Sequence, residues 1–137
     1  MRVFFDSSAF VKRYVREEGT DVVIFWCDQA TELCLSGIAL PEIVSAFCRL
    51  QREKLITPLQ YRQLKAVLMA DISDAAICDL TPEVIRHTII SLEKNVLRGM
   101  DAIHLGSALA LNAEIFVSAD ARQCAAVKQP GLRVIQV

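Results

Sequence analysis

Short apolar runs alternate along this chain with longer segments of helical periodicity. The apolar runs predict five strands, at Arg2–Phe5, Leu33–Ser36, Ile77–Leu80, Ile115–Val117 and Leu132–Val137. Because helical segments separate these strands, the pattern predicts a parallel sheet with helices on both faces, which is an α/β fold.

The segments between the strands predict seven helices. They are expected at Ser8–Arg16, at Thr20–Ala30 with Thr20 as N-cap, from Pro41 to about Leu55, after Thr57-Pro58, after Thr81-Pro82-Glu83, at Met100–Leu111 and at Ala121–Val127. The helix after Thr57-Pro58 is expected to face the core with Leu64, Val67, Leu68 and Ile72. The next helix is indicated by the 4-3-4 spacing of Ile85, Ile89, Leu92 and Val96. The helix Met100–Leu111 is apolar nearly all round, which predicts a central and buried position.

Length and composition limit the classes of protein that fit. The 137 residues predict one domain, residues 1–137, and no apolar run is long enough to span a bilayer. The N-terminal segment lacks the pattern of a signal peptide, and the five cysteines include no C-x-x-C pair, so we expect a cytoplasmic protein with reduced thiols. A net charge of −1 is no general footprint for nucleic acid, so any such contact must come from local basic clusters.

Two predicted strands end beside an aspartate and a serine. Asp6 follows the first strand and precedes Ser8, whereas Ser118 and Asp120 follow the fourth strand. Each aspartate alone is equally consistent with a turn or a helix N-cap. In an open parallel sheet, however, ligands bind at the carboxyl ends of the strands, so two acids that meet there predict a cation site.

Two further acids begin predicted helices. Glu42 lies in a first helical turn, on a polar face shared with Ser45 and Arg49, and Asp101 opens the apolar helix. A helix dipole stabilises an acid at such a position, so each residue alone is consistent with a structural role. Clustered carboxylates nevertheless repel one another unless a cation neutralises them, and their hard oxygens suit Mg²⁺ or Mn²⁺.

The acids and their neighbours resemble the PIN domain family, and in particular the VapC-like toxins of bacterial and archaeal toxin–antitoxin pairs. The resemblance covers essentially the whole chain, and its most specific segment is Asp101-Ala102-Ile103-His104-Leu105. It implies a three-layer α/β/α fold with a five-stranded parallel sheet, and a Mg²⁺- or Mn²⁺-dependent endoribonuclease. The implied catalytic and metal-binding acids are Asp6, Glu42, Asp101 and Asp120, with Ser8 and Ser118 in support. The family often has Thr where this chain has Ser118, a mild departure because the hydroxyl is kept.

The implied reaction needs no catalytic histidine, because an attacking water activated by a metal ion can cut the phosphodiester. His104 lies three residues beyond Asp101, where it is either a core histidine or a metal ligand. Candidate phosphate contacts are Arg13, Arg16 and Arg49, for which the alternative is a solvated helix charge.

Other classes of protein fit the sequence less well. Receiver domains usually carry adjacent acids after the first strand and a late lysine, and haloacid-type phosphatases place an aspartate where this chain has Ser8. Neither G-x-x-x-x-G-K nor G-x-G-x-x-G occurs, which argues against the corresponding nucleotide-binding folds. A PIN-like module that binds RNA or protein without cutting remains the alternative.

The resemblance also implies partners. They are an RNA substrate, a small cognate antitoxin and a second copy of the chain in a homodimer, with no membrane. The hydrophobic content of 53% and the wide apolar helix faces agree with burial against another chain. An Arg or Lys of the antitoxin would pair with the carboxylates and block cleavage.

Overall fold

The computed structural model describes residues 1–137, which form a five-stranded sheet with helices on both faces. The strands are β1 Arg2–Phe5, β2 Glu32–Ser36, β3 Ala76–Cys78, β4 Ile115–Ser118 and β5 Arg133–Gln136. The helices are α1 Ser7–Phe10, extended by a 3₁₀ turn at Val11–Arg13, then α2 Thr20–Gln29, α3 Ala39–Arg52, α4 Pro58–Ser73, α5 Pro82–Lys94, α6 Gly99–Ala110 and α7 Ala121–Ala126. The predicted fold class is confirmed.

The strand order β3-β2-β1-β4-β5 places the first strand in the middle of an all-parallel sheet. From β1 the chain builds outward to β2 and β3 on one side, and then to β4 and β5 on the other. The strand order therefore reverses between β1 and β4, and ligands of open parallel sheets bind at such a switch point.

Alternate residues of the strands build a core on each face of the sheet. Val3 and Phe5 of β1 pack with α1, α2, α3 and α4, whereas Phe4 points to the other face, toward Leu105 of α6. The rings of Phe4 and Phe116 stack there, with centroids 5.6 Å apart. Because β1 and β4 are buried on both faces, their sequences read as continuous apolar runs.

The apolar residues whose spacing predicted α5 are exposed, and Val96 lies beyond the end of this helix. Ile85, Ile89, Leu92 and Val96 are 40%, 50%, 38% and 91% exposed. The buried face of α5 instead carries Val84, Thr88 and Ser91. The hydroxyls of Thr88 and Ser91 donate to the carbonyls of Val84 and His87 in their own helix, so burial leaves them satisfied. Small satisfied side chains allow α6 to approach closely, and apolar periodicity alone does not reveal this.

Three other local expectations also differ from the structure. Val67 is 53% exposed, although Leu68 of the same predicted stripe is fully buried. The N-cap of α2 is Gly19, with φ +89°, and Thr20 is the first residue of the helix, with its hydroxyl donating to the carbonyl of Lys12. The expected helix Ser8–Arg16 tightens to a 3₁₀ turn after Phe10.

None of the helices combines the length and the hydrophobicity that a membrane span requires.

Candidate active site

The end of β1 fixes Asp6 at the switch point of the sheet. Its backbone N–H donates to the carbonyl of Val117 in β4, which joins the two central strands at their carboxyl ends. Its carboxylate Oδ1 accepts from the backbone N–H of Ala9, so Asp6 is the N-cap of α1. The structural interpretation of Asp6 is therefore correct, and it is compatible with a place in the site.

Two serine hydroxyls hold the buried Asp6 carboxylate from opposite sides. Ser8 Oγ donates to Asp6 Oδ1 at 2.7 Å, and Ser118 Oγ donates to Asp6 Oδ2. Ser8 and Ser118 also accept from the backbone N–H groups of Ala119 and Asp120, which ties the β1 and β4 loops together. Only 2% of Asp6 is exposed, and this burial raises the pKa of its carboxyl even though the hydroxyl hydrogen bonds oppose the shift.

Asp120 and Asp101 face each other across an open cavity of about 450 Å³. Asp120 caps α7 by accepting from the backbone N–H groups of Arg122 and Gln123 through one oxygen, Oδ1. Asp101 lies in the first turn of α6. Burial raises the pKa of Asp101, and the negative charges of Asp120 and Glu42 add to this rise. Asp120 and Glu42 are therefore close enough to repel the charge of Asp101.

Glu42 lies in the first turn of α3 and is held through one oxygen. His104 Nε2 lies 2.6 Å from Glu42 Oε1, and Ser7 Oγ donates to the same oxygen at 2.8 Å. Burial alone would raise the pKa of Glu42, but the hydrogen bonds from His104 and Ser7 outweigh it and lower that pKa. These hydrogen bonds therefore stabilise the charged form of Glu42.

The chemistry of these side chains fits a hard divalent cation. The negative charges of Asp120 and Glu42 raise the pKa of Asp101, and carboxylate oxygen is the ligand that Mg²⁺ and Mn²⁺ prefer. No three Asp, Glu, His or Cys side chains already converge as a metal-binding cluster. An ion bound here would therefore have to draw the carboxylates toward itself.

The three arginines proposed as phosphate contacts lie outside the cavity that Asp101 and Asp120 line. Arg13 Nε pairs with Asp71 of α4 at 3.0 Å, and Arg16 pairs with Asp21 on the surface. Arg49 is exposed in the last turn of α3. Their contact with phosphate stays a prediction. The arginines that line the cavity are Arg98, at the N-cap of α6, and Arg122, in α7.

Beyond Ser8 and Ser118, other residues that support the acids are not indicated by the sequence. The position of Ser7 between Asp6 and Ser8 does not predict its hydrogen bond to Glu42, and the spacing of His104 from Asp101 does not predict its contact with Glu42. Gln123 is fully buried, and its Nε2 donates to the backbone carbonyl of Asp101 at 2.7 Å. A glutamine three residues after an N-cap aspartate is typical of a capping box, so the sequence carried only a local signal for Gln123.

Comparisons with known proteins agree with this architecture. A family model described as the PIN domain matches residues 3–129. The chain is 30% identical over 109 residues to ribonuclease VapC45 of Mycobacterium tuberculosis. The aligned residues make up 80% of this chain and 76% of that protein.

Solved structures show the same fold at low sequence identity. A toxin–antitoxin complex from Klebsiella pneumoniae matches with a TM-score of 0.72 and 12% identity, over 98% of this chain and 99% of that chain. VapC20 of M. tuberculosis, described as a sarcin-ricin loop cleaving toxin, matches with a TM-score of 0.68 and 13% identity, over 96% and 98% of the two chains. Since the family model spans nearly the whole sequence, the chain belongs to the PIN domain family.

Proposed function

We propose that this protein is a Mg²⁺- or Mn²⁺-dependent endoribonuclease and the toxin of a toxin–antitoxin pair. The observation that supports the proposal is the position of Asp6 and Asp120 after the adjacent strands β1 and β4, with Asp101 close enough to Asp120 and Glu42 to be affected by their charges. These acids come from four separate segments, and like charges at one edge of the sheet repel one another unless a cation neutralises them. The similarity to a VapC ribonuclease and to toxin structures supports the same reaction class.

Each acid has its own part in the proposed reaction. Asp101 and Asp120, which line the cavity, would hold the cation together with the buried Asp6. Glu42 would hold a second ion or orient the attacking water through its second oxygen, Oε2. A bound divalent cation supplies neutralisation of phosphate charge and activation of water. Ser8 and Ser118 keep the Asp6 carboxylate fixed between β1 and β4.

Removal of divalent cations is expected to abolish cleavage. Purified protein is incubated with total bacterial RNA, and 5′-end sequencing maps the cleavage sites. Excess chelator should reduce cleavage to background, and added Mg²⁺ or Mn²⁺ should restore it, because the reaction needs a positive charge beside the acids. Cleavage that persists in chelator contradicts metal dependence, whereas RNA binding without cleavage under any ion supports the non-catalytic module.

We propose that Arg98 and Arg122 bind RNA phosphates at the mouth of the cavity. Both side chains are exposed beside the acids. Their positive charges would attract the phosphate backbone of RNA, which the carboxylates alone repel. Replacing both by Ala should raise KM for RNA roughly 10-fold, since each exposed charge contact contributes up to about 1 kcal/mol. The slope of log KM against log salt should fall by about 0.7 for each arginine.

Arg62→Ala is the matched control, because Arg62 is an exposed arginine of α4 that does not line the cavity. KM values are measured on an RNA oligonucleotide spanning the strongest mapped cleavage site. An equal change in KM for the control and the double variant would contradict a local role for Arg98 and Arg122.

We also propose a small cognate antitoxin and a second copy of the chain as partners. The antitoxin is supported by fold neighbours that are described as toxin–antitoxin complexes. The second copy is supported by the exposed apolar stripe of α5, which one chain leaves uncovered. That stripe consists of Ile85, Ile89 and Leu92.

A further inference from the structure

The contact between His104 and Glu42 joins the two helical layers at the edge of the sheet. His104 lies in the second turn of α6, which packs on the face of Phe4, whereas Glu42 belongs to α3 on the opposite face. The histidine is 2% exposed, and its ring meets the ring of Phe4 edge-on at 6.3 Å. The packing therefore fixes the orientation of the imidazole that holds Glu42.

The protons of this contact can be assigned from its partners. Glu42 Oε1 is an acceptor, so His104 Nε2 carries the hydrogen between them. His104 Nδ1 is buried without a hydrogen-bond partner. Nε2 is therefore the only ring nitrogen that joins His104 to other side chains. His104 is thus not a satisfied core histidine: its only side-chain partners, Glu42 and Ser7, lie at the site.

Ser7 completes the arrangement around the Glu42 carboxylate. Its hydroxyl donates to the same Oε1 and lies 3.3 Å from His104 Nε2. Two donors on one oxygen set the plane and direction of the carboxylate, and they leave Oε2 available for the site. Glu42 keeps 32% of its side-chain surface exposed, whereas His104 keeps 3%, so the histidine reaches substrate only through Glu42.

We infer that His104, with Ser7, is a positioning residue that fixes the Glu42 carboxylate so that Oε2 faces the reacting groups. The inference rests on the proposed ribonuclease function. A residue that orients a metal ligand by hydrogen bonding to it typically contributes 10- to 100-fold to activity or metal affinity. His104 would then act on kcat rather than on the binding of RNA.

Three variants separate positioning from core packing. His104→Leu removes the donor and keeps an apolar side chain, whereas His104→Gln keeps an amide N–H near the position of Nε2. We expect His104→Leu to lower kcat about 10- to 100-fold with KM unchanged, and His104→Gln to restore most of that loss. In a Glu42→Gln background, His104→Leu should cause no further loss, because residues that act through one another are not additive.

A signal independent of activity tests the same contact in the unaltered protein. Nitrogen-15 NMR of the two histidines, with His87→Gln used for assignment, should show a proton on His104 Nε2. Glu42→Gln should shift the His104 signals and leave those of His87 in place. A His104 Nε2 without a proton, a full loss in His104→Gln, or additive losses in the Glu42→Gln background would overturn the inference.

The outcomes for the two proposals are distinct. If Glu42→Gln lowers cleavage and His104→Leu folds but cleaves normally, the positioning role fails and the ribonuclease stands. If the unaltered protein cleaves no RNA under any ion, the proposed function fails, whatever NMR shows for His104.

Discussion

Asp6→Asn and Asp101→Asn should each lower RNA cleavage at least about 100-fold. A divalent cation contributes several kcal/mol to a phosphoryl reaction, and each 1.36 kcal/mol corresponds to a factor of ten in rate. Asparagine keeps the size of the side chain but removes the negative charge that attracts the cation. The measurement is the cleavage rate of the mapped RNA oligonucleotide at saturating Mg²⁺ or Mn²⁺.

Stability measurements show whether such a loss comes from unfolding. The pKa of Asp101 is raised, so its charged form is disfavoured by folding, and Asp101→Asn should leave the melting temperature unchanged or raise it near pH 7. Asp74→Asn is the control, because Asp74 is an exposed aspartate before β3, at the opposite edge of the sheet. Full activity in both Asp6→Asn and Asp101→Asn would contradict the proposed site.

Gly106→Ala should lower the free energy of unfolding by about 2 kcal/mol, and the melting temperature by about 6–8 °C. A Cβ at Gly106 would lie 2.5 Å from Thr88 Oγ1 and 2.8 Å from the carbonyl oxygen of Val84. The second atom belongs to the backbone of α5, so the two helices must separate to admit one methyl group. This cost exceeds the roughly 1 kcal/mol that Ala gains over Gly in a helix.

Gly99→Ala is the matched control for this substitution. Gly99 begins the same helix, and a Cβ there meets nothing within 4 Å. Thermal and urea unfolding should show Gly99→Ala unchanged or slightly more stable. Equal stability of the two alanine variants would contradict the tight α5–α6 contact.

The strands and the acids could be predicted because local pattern decides them. The apolar runs of β1 and β4 are short, end abruptly and lie next to Asp6 and Asp120, so their place at the carboxyl edge follows from parallel topology alone. Glu42 and Asp101 needed a family resemblance as well, because an acid in a first helical turn is common.

The buried face of α5 and the partner of His104 could not be predicted, for different reasons. Thr88 and Ser91 are polar by composition, and they are buried only because their own helix accepts their hydroxyl protons. His104 and Glu42 lie 62 positions apart and on helices of different layers, so no local spacing indicates their contact. Such contacts depend on tertiary packing.

The pairing of β1 with β4 also sets when the site can form during translation. Asp6 is incorporated into the nascent chain 114 positions before Asp120. At about 5–20 residues per second, the ribosome needs roughly 6–23 s to travel from one to the other. A nascent chain that ends at α5 contains Asp6 and Glu42 but lacks α6, β4 and every residue that lines the cavity. A polypeptide of this length therefore has no assembled acidic site while it is attached to the ribosome.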